Sequence, residues 1–336
     1  MFIHIKLLNG WQELLWYKVP PTWQQILPGT IVQVPLRNRI VPAIIVSRQE
    51  KLPSNITFTI KDVHGIEPFP HDPSYIPFIK KLSSYYQVDD LYFIKRLRSF
   101  LQQKEAKEQK EKEESYEKKI VGLTQEQEVV CDFLSPRITQ PTYMPVVLHG
   151  VTGSGKTEVY KQLIMQAITK NKTVILLLPE ITLAFAFERR LKQELPGIAI
   201  FGFHSGASKK EKNNLWQQLI AHKPILIIGV HLPILLPIFN LGLIIIDEEH
   251  AVNYQEKKHP KINSKEAALL RAKLYALPIL LGSATPSFST LYNVKTKKWY
   301  FFQLKKRFSG AFPQIKTVLL TDKKGRKNFW ISKELE

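Results

Sequence analysis

The stretch LHGVTGSGKTEVY, residues 148–160, contains a phosphate-binding pattern. It satisfies the spacing G-x-x-x-x-G-K-[ST] and follows the apolar run PVVLH. Glycines let backbone N–H groups close around phosphate oxygens, while a lysine reaches the β- and γ-phosphates and a threonine hydroxyl holds Mg²⁺. We therefore predict a nucleoside triphosphate site. Its predicted phosphate-binding residues are Gly150, Gly153, Ser154, Gly155, Lys156 and Thr157.

A second group of polar residues, DEEH at 247–250, follows the apolar run LGLIII. A buried parallel strand that ends in an acid places that acid at the carboxyl edge of its sheet, beside the phosphate loop. We predict that Asp247 holds Mg²⁺ and that Glu248 orients or deprotonates an attacking water. With Lys156, these two acids are the predicted catalytic residues. The alternative is that the acids only begin a solvated helix.

The run LLGSATP, residues 280–286, is a third strand that ends in small hydroxyl residues. Ser-Ala-Thr alone carries almost no information. In order after a phosphate loop and an Asp-Glu pair, however, it is the third motif of helicases. A small-molecule kinase instead needs a lid and a substrate pocket after its loop. The order of the three motifs therefore favours a nucleic-acid translocase.

These motifs need a sheet and helices that position them. From residue 120 onward, short apolar runs alternate with helical segments, which predicts an α/β fold in which helices wrap a parallel sheet, as in RecA. The predicted strands are PVVLHG, TVILLLP, IAIFGF, ILIIG, LIIID and PILLGS. Residues 1–70 are rich in β-branched residues and turns, which predicts a small β-rich domain, and residues 74–102 have helical periodicity. The predicted strands of the small domain are FIHIKLL, TIVQVPL, IVPAIIVS and FTIKDVHGI.

The run KEAKEQKEKEESYEKK, residues 104–119, contains equal numbers of Lys and Glu and predicts an exposed spacer helix rather than a nucleic-acid patch. We therefore expect a β-rich domain with a closing helix, this spacer, a helicase lobe and a basic lead-in. Their predicted bounds are 1–103, 104–119, 120–310 and 311–336.

Composition limits the partners and the compartment. Lys and Arg outnumber Asp and Glu by 48 to 29, which fits a polyanion partner or a Lys-rich proteome equally well. The single cysteine, Cys131, excludes an internal disulfide and a Cys-based zinc site within this chain and suits the cytoplasm. The N-terminus lacks the apolar core of a signal peptide. The uncharged stretch 224–246 is long enough to span a bilayer, but its prolines favour two buried strands joined by a loop.

The motifs resemble those of the PriA replication-restart helicases, of helicase superfamily 2. GVTGSGKTEVY, LLPEITL, FHSGAS, NLGLIIIDEEH and LGSATPS occur in that family's order. The resemblance implies that Lys156, Thr157, Asp247 and Glu248 bind ATP and Mg²⁺ and that Gln127 contacts adenine. It also implies that DNA binding and hydrolysis are coupled through Ser283, Thr285 and Tyr254. Expected partners are branched or single-stranded DNA at replication forks, primosome proteins and single-strand-binding protein, with no membrane.

A weaker resemblance covers residues 1–100, which look like the family's domain for the 3′ end of a DNA strand. It implies that Tyr17 and Lys61 lie around that 3′ terminus. Two departures affect this site. Trp16 stands where the family usually has an acid, and Arg37 replaces the usual glycine. A tryptophan can stack on a base and an arginine can contact phosphate, so we expect DNA binding without preference for a 3′ end.

Other departures concern coupling and turnover. His231 replaces an arginine, and Ile262-Asn263 replaces an aromatic–His pair. The family's winged helix, zinc-binding cysteines and second helicase lobe have no counterpart in these 336 residues. Because an arginine finger contributes about 10³–10⁵ in rate, we expect ATP·Mg²⁺ binding with slow turnover and no unwinding. The alternative is a non-hydrolysing scaffold that binds DNA forks and recruits primosome proteins.

Overall fold

The computed structural model describes residues 1–307, apart from 10, 12, 21–22, 24–26, 52–58 and 103–121, together with residue 317. The predicted spacer at 104–119 lies outside the described residues, as does the predicted basic lead-in apart from residue 317.

The N-terminal residues form an antiparallel sheet in the order β2-β1-β4-β3-β5. Its strands are β1 (Phe2–Leu7), β2 (Leu14–Lys18), β3 (Ile31–Leu36), β4 (Arg39–Gln49) and β5 (Gly65–Ile66). Burial alternates along β1, where Ile3, Ile5 and Leu7 face the core, as expected for a sheet with one packed face. The β-rich prediction is therefore confirmed.

Two details of this sheet differ from the expectation. Strand β2 was not predicted, although its residues LLWYK have high β-propensity. The predicted strand FTIKDVHGI is, in its described part, only the two residues of β5 and one bridge between Lys18 and Asp62. Its remaining described residues make too few ladder hydrogen bonds to count as a strand.

A helical hairpin follows, with α1 at Tyr75–Tyr86 and α2 at Tyr92–Gln102. Gln87 ends α1 in the left-handed conformation, with φ of 52°. The buried face of this hairpin packs on the antiparallel sheet and also on the parallel sheet formed by the later part of the chain. One apolar cluster contains Phe78 and Phe93 together with Leu281 of that parallel sheet. The two halves of the chain therefore share a core.

The second sheet has seven parallel strands in the order β12-β6-β11-β10-β7-β9-β8. The strands are β6 (Met144–Gly150), β7 (Thr173–Leu177), β8 (Ile200–Gly202), β9 (Leu226–Gly229), β10 (Leu241–Ile246), β11 (Pro278–Ser283) and β12 (Tyr300–Leu304). The helices around it are α3 (Gln125–Leu134), α4 (Lys156–Thr169), α5 (Ile181–Glu194), α6 (Lys209–Ile220), α7 (Ser264–Leu274) and α8 (Phe288–Lys297).

The α/β prediction is confirmed, and each of the six predicted strands is present. The uncharged stretch 224–246 forms β9 and β10, joined by a short 3₁₀ helix at Leu232–Leu235. Among the described residues, no helix has the length and apolarity needed to cross a bilayer. Strand β12 was not predicted; it adds an edge strand directly beside β6, which delivers the phosphate loop.

Candidate functional site

The phosphate loop connects the end of β6 to the start of α4. Gly153 and Gly155 have φ of 81° and 85°, a backbone conformation that side chains other than glycine rarely adopt. A Cβ atom on Gly155 would also clash with the side-chain amide of Gln127. The two glycines thus create a curved backbone of the kind that can surround a phosphate, and α4 begins immediately afterwards with its N-terminus at the loop.

Lys156 is the cation of this loop. Its side chain is buried, and its Nζ donates to the carbonyl oxygen of Gly150 at 2.8 Å. The same Nζ lies 3.7 Å from Oε1 of Glu248. The structure therefore brings the phosphate loop and the acidic pair together at the carboxyl edge of the sheet, as the motifs predict.

The acids directly follow β10, whose neighbours are β11 and β7. Glu248 has φ of 46°, a strained backbone conformation of the kind that is common at functional sites. Oδ1 of Asp247 accepts a hydrogen bond of 2.8 Å from the Tyr160 hydroxyl. Burial raises the pKa of Asp247 above its ordinary value, and the Tyr160 hydrogen bond partly opposes that rise.

The residues at this edge fit a nucleoside triphosphate with Mg²⁺. The Ser154 hydroxyl is buried in the loop and has no hydrogen-bond partner among the described residues. Mg²⁺ is usually bound by one or two protein oxygens together with substrate phosphates and water. The Thr157 hydroxyl and the Asp247 carboxylate provide such oxygens. In the described part of the chain no group of three or more His, Cys, Asp or Glu lies close enough together to hold a metal ion.

Gln127, which the resemblance assigns to adenine, contacts the phosphate loop in this structure. Its side-chain nitrogen donates to the carbonyl oxygens of Ser154 at 3.2 Å and Gly155 at 3.4 Å, and its Oε1 accepts from the N–H of Thr124. The side chain is almost completely buried. Gln127 therefore braces the phosphate loop from α3, and its contact with adenine stays a prediction.

The residues predicted to couple DNA binding to hydrolysis lie beside the acids. The Ser283 hydroxyl is 2.7 Å from Nδ1 of His250 and accepts from the N–H of Thr285 at 3.0 Å, which links the end of β11 to the acidic motif. The side chain of Thr285 is exposed. The Tyr254 hydroxyl donates to the backbone oxygens of Asp247 at 2.6 Å and Leu177 at 3.1 Å. The structure thus places all three predicted residues near the nucleotide site, whereas coupling itself stays a prediction.

The departures from the family are accommodated locally. Nδ1 of His231 lies 2.5 Å from the Ser264 hydroxyl, and burial lowers the pKa of this histidine. Ile262 is buried, and the side chain of Asn263 caps α7 by accepting from the N–H of Glu266 at 3.1 Å.

Glu249 is a buried acid that the sequence did not single out. It accepts hydrogen bonds from Lys265 Nζ at 3.0 Å, Ser287 N at 2.7 Å and Thr290 Oγ1 at 2.8 Å. Burial alone would raise the pKa of Glu249, but Ser287 and Lys265 bring it below its ordinary value. Asp247 thus lies in the candidate nucleotide site, whereas Glu249 connects the segment after β10 to α7 and α8. The sequence signal that could have revealed this contact is Ser287, a serine directly before α8.

Arg307 was also not predicted as a site residue. The register of β12 on β6 pairs Leu304 with Gly150, so residues 305–307 continue beside the phosphate loop. A Cβ atom on Gly153 would lie 2.9 Å from Nε of Arg307. Because the position depends on the unpredicted strand β12, sequence motifs could not have found it.

The predicted DNA contacts of the N-terminal sheet are near one another but differ in exposure. Trp16 stacks on His4, with ring centroids 4.1 Å apart, so only one of its faces is covered by that ring. Tyr17 is buried, and its hydroxyl donates to the Pro35 oxygen at 2.9 Å. Burial raises the pKa of Tyr17. As the chain stands, Tyr17 offers a nucleic acid little surface.

Arg37 and Lys61 are exposed beside these residues. Arg37 has φ of 52° at the turn between β3 and β4, which explains why a glycine suits this position. The oxygen of Lys61 accepts from the N–H of Lys18, next to Tyr17. The cluster therefore presents an aromatic ring and two cations, and its binding of DNA stays a prediction.

Comparison with known proteins covers both halves of the chain. Residues 4–92 match the 3′DNA-binding domain of PriA, and residues 133–294 match the DEAD/DEAH box helicase family. Replication restart protein PriA of Rickettsia felis is 31% identical over 314 residues, which are 91% of this chain and 46% of that protein. The chain belongs to the PriA family.

Two further relatives carry the same name. PriA of Rickettsia prowazekii is 34% identical over 226 residues, covering 62% of this chain and 34% of that protein. PriA of Bacillus subtilis is 35% identical over 197 residues, covering 58% of this chain and 24% of that protein. This PriA-family chain thus spans less than half the length of the relatives it matches.

Proposed function

We propose that the chain binds ATP·Mg²⁺ at the carboxyl edge of its parallel sheet, as the nucleotide-binding part of a DNA helicase that restarts replication. The observation that carries this proposal is the position of Lys156. Its Nζ lies between the phosphate loop and the acidic pair, 2.8 Å from the Gly150 oxygen and 3.7 Å from the Glu248 carboxylate. A triphosphate placed there would meet the backbone N–H groups of the loop and the lysine together.

Each site residue has a distinct proposed role. Lys156 neutralises charge on the β- and γ-phosphates. Glu248 orients the attacking water or accepts a proton from it. Thr157 and Asp247 would hold Mg²⁺, which when bound neutralises charge that develops on the phosphates. Ser283 and His250 join the two motifs, so that a change at one is transmitted to the other.

The proposed DNA partner is branched or single-stranded DNA at stalled forks. The match to a 3′DNA-binding domain, the half-exposed Trp16 and the exposed Arg37 and Lys61 support it. Primosome proteins and single-strand-binding protein are proposed partners, and the cytoplasm is the proposed compartment, on family membership.

The nucleotide proposal is tested by titrating the purified 336-residue chain with a fluorescent ATP analogue in the presence of Mg²⁺. We expect saturable binding, which Lys156→Ala weakens by at least tenfold, because the variant loses the cation that faces the phosphates. Lys210→Ala is the matched control, since Lys210 is an exposed lysine of α6. No binding by the unmodified chain, or equal binding by Lys156→Ala, would refute the proposal.

Turnover is a separate proposal. We expect ATP hydrolysis by the 336-residue chain alone to be slow with or without single-stranded DNA. Robust DNA-stimulated hydrolysis would contradict it. The scaffold alternative is favoured instead if Lys156→Ala changes neither DNA affinity nor activity in replication restart.

A further inference from the structure

Tyr160 is a buried residue whose hydroxyl contacts the proposed magnesium ligand. It follows Lys156 by four residues, so both side chains lie on one face of α4. Tyr160 is 1% exposed, and its Oη donates to Oδ1 of Asp247 at 2.8 Å. The helix that starts at the phosphate loop therefore also contacts the acid across the sheet edge.

Gly282 provides the space for this contact. It lies in β11, immediately before Ser283. A Cβ atom at Gly282 would clash with the Tyr160 hydroxyl and lie 3.3 Å from Oδ1 of Asp247. The absence of a side chain at this position lets the hydroxyl reach the carboxylate. Three parts of the chain thus meet at Oδ1 of Asp247. They are α4, β11 and the segment that follows β10.

A second tyrosine holds the backbone of the same residue. Tyr254 donates to the main-chain oxygen of Asp247, whereas Tyr160 contacts its side chain. The main chain of Asp247 is also held by a hydrogen bond from its N–H to the Leu177 oxygen, 3.0 Å long. With the backbone held in this way, the Tyr160 hydroxyl restricts rotation of the carboxylate, together with a backbone hydrogen bond from Glu248.

We infer that Tyr160 is a positioning residue that orients the Asp247 carboxylate for Mg²⁺, leaving Oδ2 for the metal. The inference rests on the proposed function, because it concerns the same nucleotide site. A hydrogen bond to one oxygen of a metal-binding carboxylate fixes the orientation of the group and so positions its other oxygen. Partners of this kind change metal affinity by about 10–100-fold when they are removed.

The test is Tyr160→Phe in the complete 336-residue chain, which removes one hydroxyl and keeps the ring. Affinity for a fluorescent ATP analogue is measured across Mg²⁺ concentrations and in EDTA. We expect the Mg²⁺ concentration for half-maximal enhancement to rise about 10–100-fold, while affinity in EDTA stays within about twofold. A purely structural role would change both affinities together. Tyr75→Phe is the matched control, because Tyr75 is an equally buried tyrosine of α1.

Gly282→Ala is a second variant that keeps the test decisive if Tyr160→Phe folds poorly. Its added methyl group should displace the hydroxyl and raise the Mg²⁺ requirement in the same direction. An unchanged Mg²⁺ requirement in both variants would overturn the inference and leave the proposed function standing. If the unmodified chain binds no nucleotide at all, the proposed function fails and the inference falls with it.

The bound metal gives an independent readout. With Mn²⁺ in place of Mg²⁺, electron paramagnetic resonance measures metal bound in the presence of the nucleotide. We expect Tyr160→Phe to bind Mn²⁺ about 10–100-fold more weakly than the unmodified chain. Equal Mn²⁺ affinity would overturn the inference.

Discussion

The two sheets of this molecule place their candidate functional residues in different ways. In the parallel sheet, the phosphate loop, the acidic pair and Ser283 follow three neighbouring strands and meet at one edge. In the antiparallel sheet, Trp16 and Tyr17 are consecutive on β2 and so point to opposite faces, one half-exposed and the other buried. A parallel sheet brings functional side chains from several strands together at its carboxyl edge, whereas an antiparallel sheet spreads such side chains over its two faces.

The energetic support differs in the same way. At the carboxyl edge of the parallel sheet, the acid Glu249 is almost completely buried and accepts hydrogen bonds from Lys265, Ser287 and Thr290. Near the N-terminal sheet, Asp89 joins Lys6 of β1 to Lys95 of α2 through partly exposed ion pairs of 3.1 Å. Buried charge pairs are costly to break, and exposed ones contribute little. This contrast can be measured.

The largest expected effect is a loss of stability at the carboxyl edge of the parallel sheet. Glu249→Ala should lower the free energy of unfolding by about 3–5 kcal/mol, because it leaves the Lys265 ammonium buried without its partner. Urea denaturation measures this change. Glu249→Met combined with Lys265→Met removes both charges and should recover most of the loss. A loss below about 1 kcal/mol in the single variant would show that this edge does not depend on the buried pair.

The next effect is on the N-terminal surface. Trp16→Ala should weaken the binding of single-stranded DNA by about 1–3 kcal/mol, since base stacking on an aromatic ring contributes that amount. Fluorescence anisotropy with a labelled oligonucleotide measures it. Trp11→Ala is the control, because Trp11 is an exposed tryptophan before β2. Equal losses in the two variants, or no loss in either, would remove Trp16 from the proposed DNA site.

The smallest effect concerns Asp89. Burial alone would raise its pKa, but hydrogen bonds from Lys6, the N–H of Leu91 and Lys95 lower it below the ordinary value. A carboxyl whose pKa is lower in the folded state stabilises the fold above its unfolded-state pKa, and this contribution is lost as the pH falls through the folded-state pKa. Asp89→Asn should therefore cost about 0.2–1 kcal/mol at pH 7.

Denaturation of the same two proteins at a pH below both pKa values is the control for Asp89. There the difference between Asp89→Asn and the unmodified chain should disappear. A difference that is as large in acid as at neutral pH would mean that packing, rather than charge, explains the effect.

Sequence motifs predicted which residues meet at the carboxyl edge of the parallel sheet, because each motif lies at the end of an apolar strand. Parallel strands must bring such residues together, so Lys156 and Glu248 could be paired although 92 positions separate them. The contacts of Tyr160 and Glu249 could not be predicted, since a helix face or a buried acid does not reveal which distant side chain it meets. Strand β12 was missed although YFFQL has high β-propensity, and the position of Arg307 was missed with it.

The N-terminal half was harder to interpret for a physical reason. The periodicity of residues 74–102 predicts helices with one apolar face but not the surface that this face covers. In the structure it packs on both sheets, and contacts such as the Arg96–Glu256 ion pair at 2.6 Å join α2 to the segment after the acidic motif. Likewise, high β-propensity at LLWYK does not show that Tyr17 faces the core while Trp16 faces His4.

The central claim is that the carboxyl edge of the parallel sheet seats a triphosphate with its metal. The most direct test is a crystal structure of this chain with a non-hydrolysable ATP analogue and Mg²⁺. We expect Lys156 Nζ within hydrogen-bonding distance of the β- or γ-phosphate and the metal close to the Thr157 hydroxyl and the Asp247 carboxylate. Phosphates bound away from Lys156, or a metal remote from both oxygen ligands, would contradict the account.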